Sequence, residues 1–136
     1  MYPKILVVST NSEALETMLT VFSGAGYEAN GASTFGEGKR LLDEGSADLV
    51  IADERLEAFN GLHLILRGRF LGPDLQGLVV SESDDRALEA EAGRLNIPAV
   101  ARPSDPNDWP LLISEVFGRE RDDDQLSPGA FAQGAA

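Results

Sequence analysis

Ala47-Asp48-Leu49-Val50-Ile51-Ala52-Asp53 is the stretch that decides the fold. Leu49 to Ala52 is an unbroken apolar run, β-branched at its centre, and it stops at a carboxylate. A strand buried on one face alternates apolar with polar residues. A run without alternation reads as a strand covered on both faces, as in a parallel sheet flanked by helices. The pattern recurs outward from here. Ile5-Leu6-Val7-Val8 ends at Ser9-Thr10, Leu78-Val79-Val80 ends at Ser81, and Ala99-Val100-Ala101 ends at Arg102-Pro103. Tyr27 to Ala32 is a weaker run of the same kind.

Amphipathic segments lie between these runs. Leu15, Met18, Leu19 and Phe22 fall at helical spacing, with Asn11 or Ser12 to cap the start and Gly24 and Gly26 to end the helix. Ser33 or Thr34 caps a second helix whose inward residues are Phe35, Leu41 and Leu42. A polar turn through Asn60-Gly61 leads to a third helix from Leu62 to Phe70, closed by Gly72-Pro73. Asp84 or Asp85 caps a fourth carrying Leu88, Ala92 and Leu95. Asp108 caps a fifth, with Pro110 in its first turn and Leu112, Val116 and Phe117 facing inward. Five strands alternating with five helices predict an α/β domain over residues 1–118. From Arg119 the composition turns acidic and then Gly/Ala-rich, so 119–136 reads as a flexible tail.

With 136 residues, 43% of them hydrophobic, the chain can bury one domain core. Its net charge of -12 repels phosphate backbones and argues against nucleic-acid binding. Without cysteine there is neither a disulfide framework nor thiolate chemistry. The apolar run at Ile5–Val8 is too short for a signal peptide or a membrane span, which points to a cytoplasmic protein with protein partners.

In a doubly wound sheet, ligands meet the carboxyl ends of the strands. Ser9, Thr10, Asp53, Ser81 and Arg102 stand there: three hydroxyls, one carboxylate and one guanidinium brought to one rim. This arrangement resembles the receiver domain of two-component response regulators, the CheY-like family, over about residues 4–117. The resemblance is carried by Ala47 to Asp53 followed by Asn60-Gly61-Leu62, by Val79-Val80-Ser81, and by Arg102-Pro103 in place of the family's Lys-Pro. It implies a flavodoxin-like sheet of order 2-1-3-4-5 and a signalling domain that is not an enzyme. It assigns Asp53 as phosphoacceptor, Ser81 as the hydroxyl and Arg102 as the cation of the phosphoryl site. It brings a histidine kinase or phosphotransfer protein as partner, Mg²⁺ at Asp53, and a contact face formed by the fourth helix, fifth strand and fifth helix.

The sequence departs from the family at particular positions. Ser9-Thr10 replaces the acidic pair that holds Mg²⁺, and neutral hydroxyls are poorer ligands for a hard dication, so metal binding at Asp53 is weak or absent. Arg102 replaces a lysine; its planar fork suits a bidentate pair with Asp53 that closes the site. Ala99 stands where the family has its aromatic switch, and Glu57 where it often has proline. Glu54 and Glu82 flank the pocket and read as solvated charges, with a replacement metal ligand as the sharper reading. His63 reads as a surface histidine and Trp109 as an anchor for the last helix. The expectation is an atypical receiver phosphorylated on Asp53. One alternative is a pseudo-receiver, a protein-interaction or dimerisation module independent of phosphate. Another is a phosphate or flavin-nucleotide binder built on the Ser9–Ser12 loop at a helix N-terminus.

Overall fold

Five parallel strands carry the first part of the chain in the computed structural model, which describes residues 4–45 and 47–118. The tail expected at 119–136 lies outside the described residues. The chain divides between Pro106 and Asn107 into two units.

The first unit runs β1 (Lys4–Val8), α1 (Ser12–Gly24), β2 (Glu28–Ala32), α2 (Phe35–Asp43), β3 (Leu49–Asp53), β4 (Arg55–Leu56), β5 (Phe59–Asn60), α3 (Gly61–Leu71), β6 (Gln76–Ser81), α4 (Arg86–Arg94) and β7 (Ala99–Ala101). The main sheet has the order β2-β1-β3-β6-β7. Counted over the five long strands this is 2-1-3-4-5, as expected. All its pairings are parallel, and Val7 stands beside both Gly31 and Ile51. Every residue of β3 is buried, which is why its sequence does not alternate.

The pleat sends successive side chains to opposite faces. Leu6, Val8, Val50, Ala52 and Val79 join Leu42, Leu62, Leu64, Ile65, Leu88 and Ala92 of α2, α3 and α4 in one apolar cluster. Their neighbours Ile5, Val7, Ile51, Leu78 and Val80 are equally buried and point to the other face. Side chains cap the helices as the sequence suggests: Asn11 accepts from Ala14 N–H, Thr34 from Glu37 N–H and Asp85 from Leu88 N–H. Arg69, in the last turn of α3, donates to the carbonyls of Leu95 and Asn96, where α4 ends.

The turn after Asp53 is more ordered than its composition suggests. Arg55–Leu56 and Phe59–Asn60 pair antiparallel as a small hairpin. Glu57, first of its two loop residues, has φ 61°. Primed hairpin turns require this left-handed geometry, and proline, locked near –65°, cannot supply it. Phe59 stacks on Phe35 at 4.5 Å between ring centroids. At Gly61 the start of α3 passes so close to the end of β3 that a Cβ would run into the Asp53 carbonyl oxygen.

A 3-10 turn, Pro106–Asp108, spans the division, and the second unit continues with α5 (Trp109–Ile113) and a π-helical turn, Ser114–Gly118. Two expectations are corrected here. Asp108 makes no side-chain cap, because its backbone is already helical (φ –82°, ψ –7°) and a capping carboxylate needs an extended residue. The buried residues of α5 are Trp109 and Ile113, while Leu112, Val116 and Phe117 are half-buried.

Two substitutions test this geometry. Gly61→Ala is expected to lower unfolding stability in urea by about 3 kcal/mol, since the methyl group meets backbone and not a movable side chain. Glu57→Pro should cost more than about 1 kcal/mol, whereas Glu57→Gly should be neutral or stabilising, because glycine takes a positive φ without strain. Equal stability of the proline and glycine variants would contradict the hairpin.

Candidate functional site

The site is built by strand ends that continue the sheet by one more hydrogen bond. Ser9 N–H donates to the Ala32 carbonyl at 3.1 Å, Glu54 N–H to Val80 at 2.7 Å, and Arg102 N–H to Ser81 at 2.8 Å. The backbone of these residues is therefore fixed by the sheet. Gly61 N–H donates to the Glu54 carbonyl and ties the start of α3 to the same rim.

The Asp53 carboxylate is taken up on both oxygens. Ser9 Oγ donates to Oδ2 at 2.6 Å, and Arg102 Nη2 donates to Oδ1 at 2.7 Å. Ser9 Oγ in turn accepts Asn11 N–H at 3.2 Å, so its hydroxyl is oriented toward Asp53. The expected Asp53–Arg102 pair thus forms, but through a single bond and not bidentately, because Ser9 holds the second oxygen. The rest of the arginine fork turns to Glu82, whose Oε2 lies 3.3 Å from Nε and 3.2 Å from Nη2. Nη1 rests 3.6 Å from the Met18 sulfur.

Burial gives this arrangement its weight. The side chains of Asp53 and Arg102 are 12% and 18% exposed, whereas Glu82 is 80% exposed. A half-exposed pair contributes little, but removing one member of a buried pair leaves a desolvated charge behind. Burial is the largest single influence on Arg102 and disfavours its charge. Asp53 and Glu82 together outweigh it, and the guanidinium is held above its ordinary pKa. A raised pKa on a base contributes stability that is present below the unfolded value and lost only in strong alkali. Arg102 therefore stays charged across the physiological range.

The other sequence candidates are close by but engaged differently. An open cleft of about 310 Å³ beside Asp53 is lined by Thr10, Asn11, Glu54, Arg55, Ser81 and Glu82, among others. Thr10 is exposed at its mouth. Ser81 is buried, and its hydroxyl donates to the Ser83 carbonyl at 2.6 Å in a local turn, not to Asp53. Among the described residues, no three or more His, Cys, Asp and Glu side chains gather to hold a metal ion. His63 is exposed. Among the described residues no helix is long and apolar enough to cross a membrane.

Sequence reasoning misses one participant, Met18, whose helical spacing marks it as core but which also backs the guanidinium. Ser9 is among the rim hydroxyls the sequence places, but its role as donor to the central carboxylate is not; a buried hydroxyl one residue beyond a covered strand is the available signal, since such a group needs a partner.

No model of a known protein family matches this sequence, and no curated protein is significantly similar to it. Solved structures do match. A response regulator receiver domain protein (CheY-like) from Methanospirillum hungatei JF-1 superposes with a TM-score of 0.78 at 21% identity, covering 90% of this chain and 99% of that one. A receiver domain protein from Clostridium thermocellum gives 0.75 at 22% identity, covering 87% and 96%. A response regulator from Burkholderia pseudomallei, described with a phosphorylated aspartic acid, calcium ion and citrate, gives 0.71 at 23% identity, covering 86% and 72%. The fold is that of the CheY-like receiver domain.

Removing Arg102 should expose what the pair contributes. Arg102→Ala is expected to destabilise the chain by about 3 kcal/mol in urea at neutral pH, since it strands a buried carboxylate. Ser9→Ala should cost about 1–2 kcal/mol. The double variant should depart from the sum of the two, because both act on Asp53. Additive losses would mean that Ser9 and Arg102 do not share a partner.

Proposed function

We propose that this receiver-fold chain is a signalling module that works through protein contacts, with Asp53 held by Ser9 and Arg102 and not cycled through a metal-assisted phosphate transfer. The observation that carries this reading is the double engagement of the carboxylate, 2.6 Å from Ser9 Oγ and 2.7 Å from Arg102 Nη2.

The chemistry of phosphate acceptance sets the standard. A carboxylate oxygen must attack a phosphorus atom that carries negative oxygens, and that repulsion needs a dication and a nearby cation to offset it. Mg²⁺ takes hard oxygen ligands in a near-octahedral shell and usually keeps one or two carboxylates. Among the described residues lining the cleft, Asp53 is the one buried carboxylate. The adjacent strand end offers Ser9, which donates its proton to Asp53, and Thr10, which is neutral. A guanidinium already lies against Asp53, where a dication would be repelled. The residues present do not fit Mg²⁺.

The remaining components support a structural use of the same rim. Arg102 links β3 to the end of β6 through Asp53 and Glu82, and Ser9 links β1 to β3. The strand ends of the rim are cross-linked from within the chain. An anion-binding use of the Ser9–Ser12 loop finds less support, since Ser9 is turned inward and the Asn11 side chain caps α1.

Phosphorylation is the second reading. It is favoured by the position of Asp53 at the carboxyl end of β3, beside a cleft that Thr10 and Ser81 line. A histidine kinase or phosphotransfer protein would then be the partner. Incubation with acetyl phosphate and Mg²⁺ followed by intact-mass measurement separates the two. The expected result is no adduct on the unmodified chain. A phosphate adduct that disappears in Asp53→Asn would overturn the proposal in favour of a working receiver.

A further inference from the structure

We propose that a groove at the end of the sheet opposite Asp53 docks a basic, apolar-anchored segment of a partner protein. The groove has a volume of about 260 Å³ and lies where β3 and β6 begin. Asp48 immediately precedes β3, and Leu75 immediately precedes β6. The five residues of β3 separate this end from Asp53. The surface is therefore independent of the Asp53 rim, and it stands whether or not Asp53 accepts phosphate.

Its surface is apolar where it need not be. Leu42 and Leu75 form the floor, and Leu71 lines one wall while remaining 54% exposed. Phe70, the preceding residue, is 86% exposed. On α3, His63, Arg67 and Phe70 fall at i, i+4 and i+7, and all are exposed. Helical patterning assigns that stripe to polar residues, and Phe70 breaks the assignment. A single exposed leucine needs no account, but two consecutive large apolar residues beside a groove mark a contact surface.

The rim selects the occupant. Asp43, Asp48 and Asp74 surround the apolar floor. Asp43 is paired with Arg67 at 3.2 Å, in a contact about 40% exposed on both sides, and Asp48 accepts the Lys4 N–H. Asp74 forms no ion pair among the described residues. The groove thus keeps a net negative rim, on a chain whose net charge is -12. A second copy of the chain would bring the same excess of negative charge to it. The chain's own C-terminal segment carries Glu120 and Asp122-Asp123-Asp124 against Arg119 and Arg121, so it is acidic as well. Charge complementarity leaves a different protein, one that presents lysine or arginine around an apolar anchor.

The test uses a fluorescein-labelled amphipathic peptide of lysine and leucine, with a glutamate–leucine peptide of the same pattern as its counterpart. The lysine peptide should bind, and amide-resonance mapping on the unmodified chain should centre on residues 43, 48, 71, 72, 74 and 75. Leu71→Ser should weaken binding by about tenfold or more. Asp74→Lys should weaken it by about tenfold, while Glu89→Lys, the same charge change on exposed α4, should alter it by no more than about twofold. Equal losses from Asp74→Lys and Glu89→Lys would reduce the effect to general charge attraction and overturn the proposal. Equal binding of the glutamate peptide, or resonance shifts centred elsewhere, would do the same. So would sedimentation showing a dimer that Leu71→Ser dissolves, since the occupant would then be a second copy.

Discussion

A carboxylate at the end of a strand buried on every residue has to be compensated, and the upper rim of this protein is arranged around that demand. Asp53 closes β3, which lies between β1 and β6 in the main sheet. A desolvated carboxylate left alone there would cost several kcal/mol. Its partners come from the ends of other strands of the sheet: Ser9 after the adjacent β1 and Arg102 after β7, two strands away, with Glu82 after β6 taking the rest of the guanidinium. The sheet hydrogen bonds continue through Ser9 and Arg102, so their backbones are fixed by the sheet. Gly61 belongs to the same construction, because only a residue without a side chain lets α3 begin against the Asp53 carbonyl.

Two of the departures from the receiver pattern, the serine after β1 and the arginine after β7, act together. An acidic pair after β1 would face Asp53 with like charge and leave a vacancy suited to a dication. Serine reverses the relationship, since a hydroxyl supplies the proton that a carboxylate accepts. Arginine extends the change. Its fork reaches Asp53 and Glu82 at once, where a lysine would present a single compact charge. Asp53, Ser9, Arg102 and Glu82 are thereby joined in one internal network. Glu57 shows the same divergence in the following loop, where a left-handed residue closes a hairpin that proline could not enter.

The doubly wound architecture also separates two surfaces. The carboxyl ends of the strands carry the polar rim, while their amino ends carry an apolar groove bordered by Asp43, Asp48 and Asp74. A rigid sheet covered on both faces keeps these ends distinct, so the chemistry retained or lost at Asp53 does not decide what the other end can bind.

The five strands of the main sheet, their parallel arrangement and most helix boundaries could be read from the sequence. Those follow from local rules: an unbroken apolar run at Leu49–Ala52, helical spacing from Leu15 to Phe22, and capping residues at Asn11, Thr34 and Asp85. It also placed Asp53, Ser9, Ser81 and Arg102 at one rim, since strand ends share an edge in this topology. Where local rules stopped, the reading did too. The hairpin at Arg55–Asn60 depends on the unusual φ of Glu57, which no periodicity marks. Asp108 looked like a cap but was already helical. The tertiary structure alone decided that Ser9 faces Asp53, that Arg102 divides itself between two carboxylates, and that Ser81 turns toward Ser83. Each is a side-chain direction set by groups far apart in the chain, and the short range of hydrogen bonds lets them be chosen only after the strands have come together.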